Sequence, residues 1–295
     1  MSKLNKVSMN DKERYYKQNL SKIWSFSSYD QYKDAIWNWW VLPFDDNFSQ
    51  INKSLNKAVK NQVSKKSIIE IGSAMGRGYE FLKTSGIIDL SDFTGIEISD
   101  TGHKASKKLF PSANWIQSDF TKYEFTKKYD YGFERNAIHH MPEPIEQYTK
   151  ILKHINISFS TTFRGIMDEG TISDLDKCHQ KNPEGGMAYW NFISVNEIVK
   201  IGLKEGFNHI RVIDNGKHWP IPSDPESDTF MSPELQGKKD YSLFTVRFTK
   251  CPEFKDPLLY FCNPGKFRGI NRWIFNPLRK IRVNSQFKKL KKLYC

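Results

Sequence analysis

Short apolar segments alternate with amphipathic ones through the middle of the chain. Five segments have the apolar and β-branched composition of buried strands: Ser67–Ile71, Asp92–Ile98, Asn114–Gln117, Tyr129–Phe133 and Ile157–Phe163. Between them, three segments carry apolar residues at helical spacing: Gly76–Ser85, Thr101–Leu109 and Ile145–Ile155. Strands that alternate with helices predict an α/β fold, in which a parallel sheet is covered by helices on both faces.

The order of elements changes towards the end of this region. Ser194 and Glu197 form a capping-box pattern that opens a predicted helix, Val195–Glu205, and Gly206 ends it. Two strand patterns follow, Phe207–Ile213 and Tyr241–Phe248, joined by a long polar connection. Two strands without an intervening helix predict an antiparallel hairpin that completes a seven-stranded, mostly parallel sheet.

Composition divides the 295 residues into three predicted parts. Residues 1–61 are rich in aromatic side chains, which predict a cap or lid; residues 62–250 form the α/β domain; residues 251–295 form a basic extension. The net charge of +12 comes mainly from this extension. Between residues 263 and 295 the chain has no acidic residue, and its basic residues there are Lys266, Arg268, Arg272, Arg279, Lys280, Arg282, Lys288, Lys289, Lys291 and Lys292.

The basic extension allows three interpretations. It could rest on an anionic membrane surface, bind RNA phosphates, or form a solvated helix on the domain. Of the two partners, nucleic acid is the less favoured. No apolar run approaches the roughly 20 residues of a membrane-spanning helix, and no secretory signal is visible. The four cysteines show no metal-binding spacing, so we expect no bound metal. We expect the protein to be reduced and cytoplasmic, with no membrane contact beyond a peripheral one.

The strongest chemical signal is the segment Glu70–Gly76, in which an apolar strand ends in a carboxylate and a turn of small residues opens a helix. Glycines permit a tight turn and let a ligand approach the backbone, and a helix N-terminus favours anions. Two later strands also end at acids. Glu97 could accept hydrogen bonds from ribose hydroxyls, and Asp119 could accept one from an adenine amino group, with Phe120 against the ring.

A nicotinamide dinucleotide also contains a ribose and an adenine, so it is one cofactor that this pattern could bind. The dinucleotide fingerprint needs G-x-G-x-x-G, but from Gly72 this chain places Ala74 and Arg77 in the second and third glycine positions. That cofactor also gives no reason for Asp119 or for the adjacent His139 and His140. The pattern therefore favours a different adenosyl cofactor.

From Ile68 to Phe248 the chain resembles the class I S-adenosylmethionine-dependent methyltransferases, which have a Rossmann-like sheet with an antiparallel last strand. The resemblance rests on the Gly72–Gly76 turn, on the acids after strands two and three, and on the motif Asp130–Pro142 with its paired histidines. It departs from the family at Ala74, where many members have glycine, and at Gly132, which interrupts the fourth strand. The resemblance implies S-adenosylmethionine as cofactor, bound by Glu70, Gly72, Ser73, Ala74, Gly76, Glu97, Ile98, Asp119, Phe120 and Asn136.

The resemblance also implies methyl transfer to an acceptor. His139 or His140 could act as a general base or orient the acceptor, although both could merely cap a turn. Arg164 could hold an acceptor carboxylate or phosphate, or form a surface ion pair, and Tyr189 and Trp190 could offer flat faces to a sugar ring. We expect the acceptor atom to be an oxygen, or a carbon or nitrogen, of a small molecule or glycan.

Two further hypotheses remain open from the sequence. The motifs around Ser27–Tyr29, Gly72–Gly76 and Ala188–Ser194 are similar to methyltransferases associated with bacterial surface-polysaccharide synthesis, which would make the acceptor a surface-glycan precursor. Alternatively, the chain is a catalytically inactive member of the fold that binds RNA or an anionic membrane through its basic extension.

Overall fold

A computed structural model describes residues 66–84, 92–167, 170–181, 187–214, 223, 229–236, 242–252 and 256–262. The predicted aromatic cap, residues 1–61, and the basic segment, residues 263–295, lie outside the described residues.

The described residues form twelve strands and five α-helices. The strands are β1 (Ser67–Ile71), β2 (Asp92–Glu97), β3 (Asn114–Gln117), β4 (Tyr129–Arg135), β5 (Ile155–Ile166), β6 (Cys178–Lys181), β7 (Met187–Tyr189), β8 (Ile193–Ser194), β9 (His209–Asp214), β10 (Thr229–Met231), β11 (Ser242–Thr249) and β12 (Leu258–Cys262). The helices are α1 (Arg77–Thr84), α2 (Asp100–Leu109), α3 (Pro144–Leu152), α4 (Val195–Lys204) and α5 (Pro233–Gln236). Two 3₁₀ turns span Phe120–Lys122 and Ile138–His140.

The central sheet confirms the predicted fold class. Its strand order is β12-β9-β11-β5-β4-β1-β2-β3, and β8 pairs with β5. Strands β1 to β5 are parallel, whereas β11 is antiparallel to both β5 and β9. The strand order reverses between β1 and β4, because β2 and β3 extend to one side and β4 and β5 to the other. Such a switch point opens a crevice at the carboxyl edge of the strands, which is where open α/β sheets bind ligands.

Alternation along the strands buries both faces of the sheet. On β1, Ile69 and Ile71 join the large core cluster that includes Tyr148 of α3 and Ile198 of α4. The intervening positions face the other way, towards α1, whose Tyr79 contacts Phe93 of β2 edge to face at 5.1 Å. Because successive strand side chains point to opposite faces, these near-continuous apolar strands need a layer on each side.

Several boundaries differ from the sequence expectation. The third predicted helix ends at Leu152, and Ile155 instead begins β5, which is twelve residues long. Strand β4 continues through Gly132, which pairs with Ile69 and Phe159, so the predicted interruption was wrong. The reason is that both neighbouring strands supply ladder partners along β4.

The end of the sheet was predicted in outline. Strands β9 and β11 pair antiparallel, as expected, but their connection contains β10 and α5 and is therefore not a simple hairpin. Strands β6, β7 and β10 form a second, three-stranded sheet that the sequence did not predict. Strand β12 lies in the predicted extension and pairs with β9 at the outer edge of the central sheet. No helix in the described ranges is long and apolar enough to cross a membrane.

Candidate active site

The turn after β1 is attached to the end of β2. Gly72 and Gly76 have positive φ angles of +68° and +82°, and Ala74 between them has φ +50°. The backbone N–H groups of Gly72 and Ser73 both donate to the carbonyl oxygen of Ile96, at 2.9 and 3.0 Å. Ala74 adopts the left-handed conformation that glycine prefers, so the backbone keeps the shape of a glycine turn at a small energetic cost.

Glu97 connects this turn to the carboxyl end of β2. Its Oε2 accepts a hydrogen bond from the Ala74 N–H at 2.6 Å, and its Oε1 accepts one from the Ser99 N–H at 2.8 Å. Burial raises the pKa of Glu97, and the hydrogen bonds from Ser99 and Ala74 oppose that rise. Each carboxylate oxygen has a second lone pair, so both can still accept a hydroxyl donor such as that of a ribose.

Glu70 lies against the first turn of α1. A Cβ atom placed on Gly78 would be 2.4 Å from Glu70 Oε1, so the carboxylate packs directly on that helix. Burial and the charge of Glu97 raise the pKa of Glu70 well above its ordinary value, against the effect of Arg135. Within the described part of the chain, Glu70 Oε2 has no hydrogen-bond partner.

Asp119 lies at the same edge of the sheet. The backbone N–H of the preceding Ser118 donates to the carbonyl oxygen of Glu97 at 3.0 Å. One carboxylate oxygen of Asp119 caps the following 3₁₀ turn by accepting from the N–H and hydroxyl of Thr121, at 2.9 and 2.8 Å. Phe120 is only 2% exposed and packs in the core, with Lys150 Nζ 4.7 Å from its ring centre. A contact between the Phe120 ring and a cofactor therefore stays a prediction.

The turn after β4 lies directly against the glycine turn. A Cβ atom on Gly72 would be 2.5 Å from the Cβ of Ala137, so the two turns are in contact. The neighbouring Asn136 has φ +53°, and its N–H donates to the carbonyl oxygen of Thr162 on β5 at 2.8 Å. Asn136 Oδ1 is buried and has no hydrogen-bond partner among the described residues. This contact joins the predicted cofactor residues to the histidine pair.

Glu134 holds this second turn in place, and sequence reasoning missed it. Its Oε2 accepts hydrogen bonds from the N–H groups of Ala137 and Ile138, at 2.9 and 3.3 Å. Its Oε1 accepts from the hydroxyl groups of Tyr148 and Thr161. Glu134 is itself a residue of strand β4, so no local pattern in the sequence pointed to this role.

His139 and His140 are both buried, and their ring centres are 3.9 Å apart. His140 Nδ1 is 2.9 Å from the carbonyl oxygen of Tyr189. His139 Nε2 is 3.4 Å from Nη1 of Arg164, and the Arg164 guanidinium lies 3.6 Å from the centre of the Trp190 ring. The structure therefore brings together the predicted catalytic pair and all three predicted acceptor residues.

The electrostatics of this cluster are those of a neutral pair of imidazoles beside a cation. Burial, followed by the charges of His140 and Arg164, lowers the pKa of His139 well below its ordinary value. Burial lowers the pKa of His140 to about 4, although its hydrogen bond to Tyr189 opposes the change. Burial also lowers the pKa of Arg164 to about 9. At neutral pH both histidines are therefore uncharged, and Arg164 stays protonated.

The apolar acceptor residues lie inside the protein. Tyr189 and Trp190 are 7% and 4% exposed, and one face of Trp190 is covered by Arg164. Arg164 is partly buried in this stack. Among the described residues there is no group of three or more His, Cys, Asp or Glu side chains that could hold a metal ion.

No protein-family model matches the sequence, and no curated protein matches it. Solved structures do match the described fold. The N-terminal domain of EvdMO1 with S-adenosylhomocysteine bound has a TM-score of 0.46 and 12% identity over 68% of this chain and 79% of that one. The magnesium protoporphyrin IX methyltransferase of Synechocystis PCC 6803 with bound S-adenosylmethionine has a TM-score of 0.46 and 12% identity over 79% of this chain and 97% of that one.

A third solved structure shares about half of its length with this chain. The phosphoethanolamine N-methyltransferase 2 of Haemonchus contortus, in complex with S-adenosyl-L-methionine, has a TM-score of 0.45 and 15% identity. The match covers 68% of this chain and 52% of that one.

Proposed function

We propose that the protein is an S-adenosylmethionine-dependent methyltransferase that acts on a small molecule or sugar. One observation carries the proposal. The Glu97 carboxylate, at the end of β2, is bonded to the backbone of the Gly72–Gly76 turn at the switch point of the sheet. An acid and a glycine turn in direct contact at this edge form a cradle for an adenosyl group, since the acid accepts the ribose hydroxyls beside the turn.

The polar atoms around this cradle fit the cofactor. Glu70 Oε2, Ser73 Oγ and Asn136 Oδ1 are buried, and none has a hydrogen-bond partner in the described part of the chain. Buried polar atoms of this kind are expected to find partners, and the amino and carboxylate groups of a bound methionine moiety would supply them. Glu70, Gly72, Ser73, Ala74, Gly76 and Asn136 would hold the methionine end, Glu97 and Ile98 the ribose, and Asp119 and Phe120 the adenine.

The bound sulfonium supplies an already activated methyl group, so the protein has two tasks. It must place the acceptor atom in line with that methyl group, and much of the rate gain comes from this alignment. It must also accept a proton when the acceptor is an alcohol. The histidine turn Ile138–His140 is attached to the glycine turn through the contact between Ala137 and Gly72, so the two groups share one rim of the sheet. His139 or His140 is the candidate for that proton.

Calorimetric titration with S-adenosylmethionine and S-adenosylhomocysteine tests the proposal without a known acceptor. We expect both to bind, and we expect a 2′-deoxyribose analogue of S-adenosylhomocysteine to bind about 10-fold more weakly, because one hydrogen bond to a charged group is lost. In Glu97→Gln the difference between the two ligands should shrink. Asp92→Asn, at the other end of β2 where Asp92 pairs with Lys127, is the matched control. Absence of binding by the folded wild-type protein contradicts the proposal.

The finer acceptor assignment also belongs to this proposal. A lipid-linked glycan precursor would suit flat side chains at Tyr189 and Trp190 and a basic segment that rests on an anionic membrane. Co-sedimentation with vesicles containing anionic lipid, with and without residues 263–295, tests the membrane contact. We expect only the full chain to bind the vesicles, and we expect salt to weaken that binding. Equal binding of both proteins would contradict the proposed membrane contact.

A further inference from the structure

The last turn of α3 reaches the loop that follows β3. Lys150 Nζ donates to the carbonyl oxygens of Phe120 and Thr121, at 2.6 and 3.2 Å. Both residues belong to the 3₁₀ turn that begins directly after Asp119. A cation in the last turn of a helix commonly binds the carbonyl groups of its own helix, but the Lys150 ammonium group binds those of another element. Lys150 therefore joins α3 to this 3₁₀ turn.

Thr121 extends this contact to the Asp119 carboxylate. Its carbonyl oxygen accepts from Lys150, while its N–H and hydroxyl groups both donate to Oδ1 of Asp119, at 2.9 and 2.8 Å. Within the described residues, the hydrogen bonds of this carboxylate all go to Oδ1. The two bonds fix the direction of the carboxylate, and Oδ2 keeps its lone pairs for a ligand.

Charge supports the same arrangement. Burial lowers the pKa of Lys150, and the negative charges of Asp119 and Glu124 raise it. Attraction to Asp119 thus offsets part of the cost of removing the ammonium group from water. The Lys150 ammonium group also lies 4.7 Å from the centre of the Phe120 ring, within the range of a cation–π contact. Hydrogen bonds, charge and an aromatic face all hold Lys150 against the turn.

Helix α3 is a rigid support for a group that lies on a loop. Its Tyr148, Ile151 and Leu152 side chains are fully buried in the large core cluster. A recognition group has to be held to within about 0.5 Å, and a side chain on a loop reaches that precision when neighbouring elements fix it. Because Lys150 belongs to this anchored helix, its contacts give the Asp119 loop a fixed position relative to the core.

We infer that Lys150 is a positioning residue that sets the specificity of the cofactor site for adenine. It acts through Thr121 on Asp119, whose Oδ2 accepts a hydrogen from the 6-amino group of the base. A purine without that amino group leaves Oδ2 without its donor and binds more weakly. This inference rests on the proposed function, because Asp119 is assigned there to the adenine.

The test compares two ligands on the same folded protein. They are S-adenosylhomocysteine and its 6-deamino analogue, in which purine replaces adenine, and calorimetry measures both affinities. We expect the wild type to bind the adenine ligand about 10-fold more tightly, because the analogue loses a hydrogen bond to a charged acceptor. In Lys150→Met, which keeps a long side chain but removes the charge and its donors, this ratio should fall to about 3-fold or less. A general loss of stability affects both ligands alike and leaves the ratio unchanged.

Three further variants check the route from Lys150 to Asp119. Lys150→Arg keeps the charge and N–H donors and should retain most of the ratio. Lys153→Met, at an exposed position at the end of the same helix, is the matched control and should leave the ratio unchanged. Asp119→Asn should lower the ratio by itself, and adding Lys150→Met to it should lower the ratio no further.

The outcomes separate this inference from the proposed function. If S-adenosylhomocysteine binds but Lys150→Met keeps the wild-type ratio, the role of Lys150 is overturned and the proposed function stands. Equal weakening of both ligands overturns that role as well, because it leaves the preference for adenine intact. A further fall of the ratio when Lys150→Met is added to Asp119→Asn shows that Lys150 does not act through Asp119 and also overturns the inference. A folded wild type that binds neither ligand contradicts the proposed function and, with it, the specificity.

Discussion

The contact between Gly72 and Ala137 offers a direct test of how the site is built. Gly72 has φ +68°, and a Cβ atom there would be 2.5 Å from the Cβ of Ala137. The substitution Gly72→Ala therefore adds two separate penalties. The backbone must hold a left-handed angle with a side chain, and the glycine turn must move away from the turn that carries the histidines.

The size of each penalty follows from the geometry. A left-handed angle costs a non-glycine residue roughly 1–2 kcal/mol, partly offset by about 0.4–1 kcal/mol from the less flexible unfolded chain. Overpacking adds roughly 1–3 kcal/mol, because two carbon atoms cannot approach to 2.5 Å. We expect Gly72→Ala to lower the free energy of unfolding by about 2–4 kcal/mol.

Two further variants separate the penalties. Gly206 has φ +83°, but a Cβ atom there meets no other atom within 4 Å, so Gly206→Ala reports the backbone term alone. Ala137→Gly removes the atom that the new Cβ would strike. In the double variant Gly72→Ala/Ala137→Gly, the steric part should be recovered as a coupling energy above about 1 kcal/mol.

The assay is urea unfolding, with midpoints compared at constant slope, together with calorimetric binding of S-adenosylhomocysteine. We expect Gly72→Ala to weaken that binding and the double variant to restore part of it. The reasoning is refuted if Gly72→Ala is no more destabilising than Gly206→Ala, or if the double variant shows no coupling.

Three other predictions follow from buried groups. Burial lowers the pKa of His140 from 6.5 to about 4. Below pH 6.5 the unfolded chain therefore binds a proton that the folded protein excludes, and stability is lost as the pH falls towards 4. The unfolding free energy of the wild type relative to His140→Gln should therefore fall by about 3 kcal/mol over that range, and a constant difference would contradict it. Tyr148→Phe removes a buried hydroxyl that donates to Glu134 at 3.0 Å and should lower stability by about 1–3 kcal/mol in urea unfolding, whereas an unchanged midpoint would count against that network. Burial raises the pKa of the Cys178 thiol to about 12, so it is almost entirely protonated at pH 8. In a protein whose other cysteines are replaced by serine, a thiol reagent at pH 8 should therefore modify Cys251 much faster than Cys178. Equal modification rates would show that Cys178 is accessible.

The sequence predicted the elements that depend on local pattern. The bounds of β1 and β3 agree with the predicted segments. A short run with apolar residues between polar ones indicates a strand without reference to the rest of the chain. The capping pattern at Ser194 also placed the start of α4 correctly, and the Ser194 hydroxyl accepts from the Glu197 N–H. The predicted end of α3 at Ile155 was wrong, because apolar residues there suit both a helix and the β5 strand that follows.

The sequence also predicted candidate site residues by their positions at strand ends. Parallel strands bring their carboxyl ends to one edge, so the sequence alone predicts Glu97 and Asp119 near Gly72. Their partners could not be expected. The bonds from Ala74 to Glu97 and from Tyr148 to Glu134 depend on how loops and helices pack, and no local pattern encodes that packing.

The chemical states of the side chains were decided by tertiary structure alone. The sequence shows two adjacent histidines with the same intrinsic pKa. Folding places one beside Arg164 and the other beside the Tyr189 carbonyl, and burial in these surroundings lowers the pKa of both rings. The sequence by itself determined an α/β sheet with acids and glycines at one edge, because local periodicity and chain order suffice for that. Only the three-dimensional fold decided that both histidines are uncharged at neutral pH, because burial and neighbouring charges are set by residues distant in the chain.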